Sequence, residues 1–117
     1  MAWKSYTPST LEWARHSGRP TILFFDAAEC EPCRKMRQKT FRDREVIHAL
    51  QPFVCLRADL SNPWSPGRKL VKPFGIEDLP VMIFFDSKGD EQSDLRRVGY
   101  VSPKGFLDYL GRYHQYL

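Results

Sequence analysis

The sequence has few cysteines, three in 117 residues, which is too few for a small fold held together by several disulfides. It also lacks a long apolar run. No stretch approaches the roughly 18 apolar residues that a membrane-spanning helix needs, so we expect no direct membrane insertion. Lys and Arg outnumber Asp and Glu by 18 to 14, but they are spread along the chain and form no basic block. Binding to nucleic acid is therefore not expected.

The remaining composition is that of an ordinary globular protein. Hydrophobic residues make up 42% of the chain and aromatic residues 14%, enough for a core and too much for a disordered chain. A chain of this length suits one domain, so we expect a single monomeric domain over residues 1–117. Residues 1–4 do not have the pattern of a signal peptide. The sequence therefore leaves two expectations open: a cytoplasmic protein, or an excised extracytoplasmic domain.

The most informative segment is Cys30-Glu31-Pro32-Cys33. It follows the apolar run Thr21–Phe25 and precedes a basic, helix-forming run over 34–39, so two thiols lie where a strand gives way to a helix. The free N–H groups and the positive dipole end of a helix N-terminus favour a thiolate, the form that attacks a disulfide. We expect Cys30 to be the nucleophile. Cys33, one turn later on the same side, would close the ring or resolve a mixed disulfide.

Two other interpretations of this cysteine pair are an inert structural disulfide and half of a metal site. A structural zinc site needs four ligands, and the remaining candidates have no paired spacing: Cys55, His16, His48 and His114. We therefore expect no metal. The odd number of cysteines leaves at least one thiol unpaired. Cys55 lies in an apolar segment and is predicted to be a small core residue, with an accessible redox or metal-binding role as the alternative.

The pattern of apolar residues predicts alternating strands and helices, and hence an α/β domain. The predicted strands cover 3–6, 21–26, 53–59, 80–86 and 95–100. The predicted helices cover 9–18, 32–40, 68–72 and the segment after 102, with a further turn or two around 44–50. Ser9 and Glu12 have the spacing of a capping box, and Ser102-Pro103 is a cap followed by a first-turn proline. Trp64 lies in the longest loop, where we expect it to anchor the loop; contact with a substrate is the alternative.

Together these segments resemble the thioredoxin superfamily, most closely the C-terminal domain of DsbD-type thiol:disulfide interchange proteins and related small periplasmic thioredoxin-like proteins. The resemblance covers nearly the whole chain and rests on three segments: 21–33, 54–59 and 74–89. A Cys-x-x-Cys motif is weak by itself, but the preceding strand, the following helix and a later Leu-Pro-apolar strand make it specific. The resemblance implies a thioredoxin-like α/β fold, with a central mixed four- to five-stranded sheet flanked by helices.

The resemblance also implies an activity, that of a thiol:disulfide oxidoreductase with Cys30 and Cys33 as its catalytic residues. In the family, the proline that matches Pro80 has a cis peptide bond beside the cysteines, and the backbone of the preceding residue, here Leu79, pairs with a substrate strand. An ordinary strand-initial proline is the alternative. No organic cofactor is implied, because the dithiol carries the electrons. The implied partners are disulfide-bearing proteins and a redox partner such as a membrane electron transporter, in the periplasm or another extracytoplasmic compartment.

The sequence departs from the family at three positions near the cysteines. Glu29 replaces a common Trp, Phe24 replaces a buried acid, and Glu31 replaces a small or apolar residue. The loss of the Trp and of the buried acid motivates a second hypothesis, a thioredoxin-like binding module, either an adaptor or a metal chaperone, that works without redox turnover.

Charged residues around the motif act on the pKa of Cys30 in opposite directions. The acids Asp26, Glu29 and Glu31 would raise it, whereas the helix dipole and the basic residues Arg34, Lys35 and Arg37 would lower it. Glu29, Glu31, Arg34 and Lys35 are therefore candidate tuning residues. For Arg34 and Lys35 the alternative is a solvated helix face, and the sequence does not decide which sign prevails.

Overall fold

A five-stranded mixed sheet forms the centre of the computed structural model, which describes residues 3–117. The strands are β1 (Lys4–Ser5), β2 (Thr21–Asp26), β3 (Val54–Asp59), β4 (Val81–Phe85) and β5 (Arg97–Val98). Their order across the sheet is β1-β3-β2-β4-β5. Both β1 and β2 run parallel to β3, whereas β4 is antiparallel to β2 and to β5. The predicted α/β fold with a mixed sheet is confirmed.

Within residues 3–117, four helices cover the two faces of this sheet: α1 (Pro8–Arg15), α2 (Glu31–Gln38), α3 (Arg44–Ala49) and α4 (Pro103–Tyr113). Leu11 and Ala14 of α1 pack on one face, and α2, α3 and α4 supply the core of the other. Short 3₁₀ turns are found at Thr40–Arg42, Pro66–Leu70, Ser93–Leu95 and His114–Tyr116. In the part of the chain described, no helix combines the length and the apolar composition needed to cross a membrane.

The central strand β2 is buried along its whole length. Ile22 and Phe24 belong to the core on the side of α2, α3 and α4, whereas Leu23 and Phe25 belong to the core on the side of α1. Alternate side chains of a strand point to opposite faces. The continuous apolar run in the sequence therefore reflects a strand that is covered on both sides.

The start of α1 differs from the prediction that placed a capping box at Ser9. The N-cap is Thr7, whose Oγ1 accepts the N–H of Thr10 at 3.1 Å, while Thr10 Oγ1 accepts the N–H of Thr7 at 2.7 Å. Pro8 occupies the first helical position, where its fixed φ suits a helix and its missing N–H costs nothing. The helix consequently starts earlier than predicted, and it ends at Arg15, before Gly18.

Other element boundaries also differ from the predictions. Helix α2 begins at Glu31, because Cys30 is its cap, and Thr40 lies in a separate 3₁₀ turn. The predicted helix over 68–72 is a 3₁₀ turn that begins at Pro66. The last strand is shorter than 95–100, because Ser93–Leu95 forms a turn and the carbonyl of Leu95 accepts the hydroxyl of Tyr109 instead of a strand partner.

Cys55 lies in β3 with only 4% of its surface exposed, and it is a free thiol. It belongs to the core cluster that also contains Ile22 and Met36. Burial disfavours the charged thiolate and raises the pKa of Cys55 to about 12. The prediction that Cys55 is a core residue is confirmed.

Two glycines with the same backbone angle permit a matched test of the turn after β4. Gly89 and Gly99 both have φ of 91°, but a Cβ at Gly89 would overlap the carbonyl oxygen of Arg15, whereas a Cβ at Gly99 would meet nothing within 4 Å. We expect Gly99→Ala to lower the free energy of unfolding by about 1–2 kcal/mol through its positive φ alone. Gly89→Ala should lower it by a further 1–3 kcal/mol, roughly the cost of overpacking. Urea unfolding measures both, and equal losses would contradict the close approach at Arg15.

Candidate active site

Cys30 is the N-cap of α2 and is joined to Cys33 by a disulfide with a Cα–Cα distance of 5.2 Å. Its backbone is extended, with φ of −88° and ψ of 113°, and its Sγ accepts the N–H of Cys33 at 3.2 Å. The sulfur therefore takes the place that a Ser or Asp oxygen takes in an ordinary helix cap. After reduction, a thiolate at Cys30 can accept the same bond at the positive end of the helix dipole.

The two cysteines differ in their access to solvent. Cys33 is completely buried, whereas Cys30 is partly exposed. A substrate disulfide can therefore approach Cys30 more readily than the buried Cys33. This difference matches the predicted roles of nucleophile and resolving thiol.

The turn before Cys30 is held by hydrogen bonds from two directions. The carbonyl of Ala27 accepts the N–H of Cys30 at 3.3 Å and Nη1 of Arg37 at 3.4 Å. The N–H of Ala28 donates to Oγ of Ser61 at 2.7 Å. Both Arg37, from α2, and Ser61, from the loop after β3, thus fix the segment that leads into the motif.

Asp26 ends β2 directly before this turn and is completely buried. Its Oδ1 accepts Nη1 of Arg37, and its Oδ2 accepts Nε of Arg57 at 2.5 Å. The N–H of Leu60 donates to the carbonyl of Asp26 at 2.7 Å. From the sequence, Asp26 is predicted only as a nearby acid, and neither Arg57 nor Ser61 is predicted to lie at the site. One feature of Asp26 is visible in the sequence, because a charged residue there lies on the same strand face as the apolar Phe24.

The peptide bond between Leu79 and Pro80 is cis. Val81 pairs with Phe25 in the antiparallel ladder of β4 with β2, so the same register places Pro80 opposite Asp26, at the strand end from which the cysteine turn departs. Pro80 is buried, and Leu79 is partly exposed just outside the ladder. Pairing of Leu79 with a substrate stays a prediction.

The four candidate tuning residues lie on the exposed side of the motif. Both carboxylate oxygens of Glu31 accept Nη2 of Arg34 at 2.6 Å, and this bond lowers the pKa of the Glu31 carboxyl. Nζ of Lys35 lies 5.2 Å from the centre of the Tyr100 ring, and Glu29 is exposed. These contacts agree with a solvated helix face, and an influence of these residues on Cys30 stays a prediction.

Two aromatic residues differ in their surroundings. Phe24, at the position of the family's buried acid, packs against Trp3 and Phe41 with ring centroids 5.8 and 5.1 Å apart, so an apolar cluster replaces that acid. Trp64 is 88% exposed, and the prediction that it anchors its loop is wrong. The loop is instead held by polar bonds, since Asn62 Oδ1 accepts the N–H of Trp64 at 2.8 Å and Ser65 Oγ donates to the carbonyl of Asp59 at 2.6 Å.

Metal ligands would have to come from clustered His, Cys, Asp or Glu side chains. Over residues 3–117, no group of three or more such side chains is close enough together to hold a metal ion.

The family model described as a thioredoxin-like domain matches residues 7–114. This match agrees with the cysteine motif, the sheet order and the position of Pro80. This chain belongs to the thioredoxin-like domain family. As a thioredoxin-like domain, it carries its cysteine pair at the junction of β2 and α2.

Curated relatives of this thioredoxin-like domain include thiol:disulfide interchange proteins named DsbD. The protein from Ralstonia nicotianae is 38% identical over 99 residues, which cover 85% of this chain and 16% of the relative. The protein from Yersinia enterocolitica is 32% identical over 97 residues, which cover 83% of this chain and 17% of the relative. The chain thus spans about a sixth of the length of these relatives.

Solved structures show the same fold. The oxidised DsbD C-terminal domain of Neisseria meningitidis has a TM-score of 0.73 at 21% identity, covering 95% of this chain and 98% of that one. A thioredoxin from Thermus thermophilus has a TM-score of 0.73 at 23% identity, covering 96% and 87%.

The site geometry predicts the order in which the thiols react. In the reduced protein at neutral pH, iodoacetamide should modify Cys30 first, because it is accessible and its thiolate caps α2. Cys33 is buried, and burial holds the pKa of Cys55 at about 12, so both should react only slowly until denaturant exposes them. Peptide mass spectrometry over time measures the order. Earlier labelling of Cys33 than of Cys30 would reverse the assignment of the nucleophile.

Proposed function

We propose that this domain is a thiol:disulfide oxidoreductase that reduces or exchanges disulfides of proteins. The observation that carries the proposal is the geometry of the cysteine pair: Cys30 is partly exposed and caps α2 with its sulfur, while Cys33 is buried one turn away. An inert structural disulfide would not need one partly exposed cysteine whose sulfur caps a helix N-terminus. The family membership and the DsbD relatives support the same chemistry.

The proposed reaction proceeds in two exchange steps. The Cys30 thiolate attacks one sulfur of the substrate disulfide, a mixed disulfide forms, and the other substrate sulfur leaves as a thiolate that takes a proton from water. Cys33 then loses its proton and attacks Sγ of Cys30, which releases the second substrate thiol. Two electrons pass to the substrate, which is reduced, and the Cys30–Cys33 disulfide forms. The dithiol itself carries these electrons, so the proposed reaction uses no organic cofactor.

Substrate docking is proposed at the segment that contains Leu79 and Pro80. Leu79 precedes β4 at the sheet end where the cysteine turn begins and lies outside the ladder of β4 with β2, and an extended peptide can pair with such a backbone segment through main-chain hydrogen bonds. A peptide paired there would lie beside the position from which Cys30 attacks.

The partners are proposed from the names of the relatives. Thiol:disulfide interchange proteins exchange disulfides, so we propose disulfide-bearing proteins as substrates. A separate redox partner, either a membrane electron transporter or another thioredoxin-like domain, would return the domain to its starting state. We propose that the domain acts as a monomer in the periplasm or another extracytoplasmic compartment, where protein disulfides persist.

Removing the resolving thiol should trap the intermediate. Cys33→Ser is expected to accumulate mixed disulfides with substrate proteins through Cys30, because no second thiol can release them. Cys30→Ser should trap none, and Cys55→Ser should retain the activity, because Cys55 is buried in the core. Non-reducing gels and an insulin-reduction assay measure these outcomes. A folded wild-type protein that neither reduces insulin nor forms a mixed disulfide would favour the binding-module hypothesis. Metal analysis of the reduced protein would then distinguish an adaptor from a metal chaperone.

The docking segment can be tested on the trapped complex. In a Cys33→Ser protein bound to a disulfide-bearing peptide, amide hydrogen exchange should slow over residues 76–80, because the peptide pairs with the backbone at Leu79. The exposed segment 111–114 at the far end of α4 is the internal control and should be unchanged. Unaltered exchange at 76–80 in a fully trapped complex would place substrate docking elsewhere.

A further inference from the structure

The turn that carries Cys30 is held on two sides by polar side chains from other segments. The Ala27 carbonyl accepts both the N–H of Cys30 and Nη1 of Arg37, at 3.3 and 3.4 Å. On the other side, Ala28 donates its N–H to Ser61 Oγ at 2.7 Å. The position of the nucleophile therefore depends on groups outside the Cys-x-x-Cys motif.

Both of these contacts are connected to Asp26 through further hydrogen bonds and ion pairs. Arg37 donates to Oδ1 of Asp26, and Arg57 donates through Nε to Oδ2 at 2.5 Å. Nη2 of Arg57 lies 3.7 Å from Oδ2 of Asp59, whose Oδ1 accepts Oγ of Ser61 at 2.5 Å. A continuous chain of polar groups thus starts at one side of the turn, passes through Asp26 and returns to the other side.

The charges in this network are balanced two against two. Asp26 has no exposed side-chain surface, while the side chains of Arg37 and Arg57 are 28% and 36% exposed and that of Asp59 is 45% exposed. Electrostatic interactions are stronger at a buried site than in water. Neutralising Asp26 or Arg37 would therefore leave an uncompensated charge directly beside the turn, where solvent screens it incompletely.

Other charged groups on the segments around the turn lie on the exposed surface. They are Glu29, Glu31, Arg34 and Lys35 on the motif and α2, and Glu77 and Asp78 before the docking segment. Glu31 and Arg34 bond each other at 2.6 Å, and exposed charges are screened by salt. Asp26 is buried, and the network around it bonds directly to the turn through Arg37 and Ser61.

We propose that Asp26, Arg37 and Arg57 are positioning residues that fix the Cys30 turn and set how strongly its thiolate, and so the reduced form, is stabilised. This inference rests on the proposed function, since it concerns the thiol–disulfide equilibrium of the same cysteine pair. In this proposal, the buried Asp26 both holds the turn in place and sets the charge beside it. Both of its oxygens bind guanidinium groups, and the two arginines also connect α2 and β3.

The sign of the effect follows from the charge that each substitution removes. Asp26→Asn leaves two guanidinium groups against the single carboxylate of Asp59, so the pKa of Cys30 should fall and the reduced form should gain. Arg37→Gln leaves an excess of negative charge, so the pKa of Cys30 should rise and the disulfide form should gain. Arg37→Lys keeps the charge and should stay close to wild type.

The experiment equilibrates each variant of the full chain with glutathione redox buffers and follows the pH dependence of Cys30 alkylation. We expect the equilibrium constants of Asp26→Asn and Arg37→Gln to move in opposite directions by about threefold or more, a smaller change than the roughly tenfold, or one pKa unit, that a directly adjacent charge typically causes. Arg44→Gln, at an exposed position at the start of α3, removes the same charge as Arg37→Gln and is the control; its constant should change far less. Circular dichroism confirms that each variant is folded.

The outcomes separate tuning from simple structural damage. Shifts of opposite sign support the proposal, whereas shifts of the same sign, or none in folded variants, overturn it. If Asp26→Asn does not fold, the comparison of Arg37→Gln with Arg37→Lys decides. Equal thiol–disulfide equilibrium constants for these two variants would overturn the proposal. Failure of the proposed function looks different, because the wild-type protein itself would then show no exchange with glutathione and no insulin reduction.

Discussion

The carboxylate of Asp26, buried at the end of the central strand, has to be neutralised by its own surroundings. An unpaired charge in an apolar interior is too costly for a small domain to retain. Here Arg57 reaches it from β3 and Arg37 from α2. Removing one partner of a buried ion pair typically costs about 3–5 kcal/mol, a large part of the 5–15 kcal/mol that stabilises a typical domain. The position of the cysteine-bearing helix against the sheet therefore depends on this ion group.

The cysteine pair uses the ordinary requirement that a helix start must satisfy its free N–H groups. At the start of α2 the acceptor is the sulfur of Cys30, which receives the N–H of Cys33. The same atom is then both the cap of the helix and the nucleophile. The bond that stabilises the fold at this point is consequently also the one that favours the thiolate, and the buried neighbour Cys33 is held one turn away.

The apolar core on the side of α2 explains how the domain accommodates its departures from the family pattern. Phe24 fills the position of the family's buried acid and packs in an aromatic cluster with Trp3 and Phe41. The acid on this strand face is instead Asp26, two residues nearer the cysteines, and its carboxylate binds the guanidinium groups of two arginines. The exposed Trp64 follows Ser61 in the loop that holds Ala28, so a large apolar surface lies on a segment tied to the cysteine turn.

The sequence by itself determined the strands, the order of the elements and the cysteine pair, because these follow from local signals. An apolar run predicts β2, and two cysteines between a strand and a basic helix predict the site. Local signals failed at the start of α1, where Ser9 and Thr7 both resemble caps. Thr7 is the cap, because Pro8 occupies the first helical position. Only the tertiary structure placed Arg57 and Ser61 at the turn, 31 residues from Asp26 and 33 from Ala28. No local pattern encodes such contacts, because they arise from the parallel pairing of β2 with β3, which brings distant residues to the same end of the sheet.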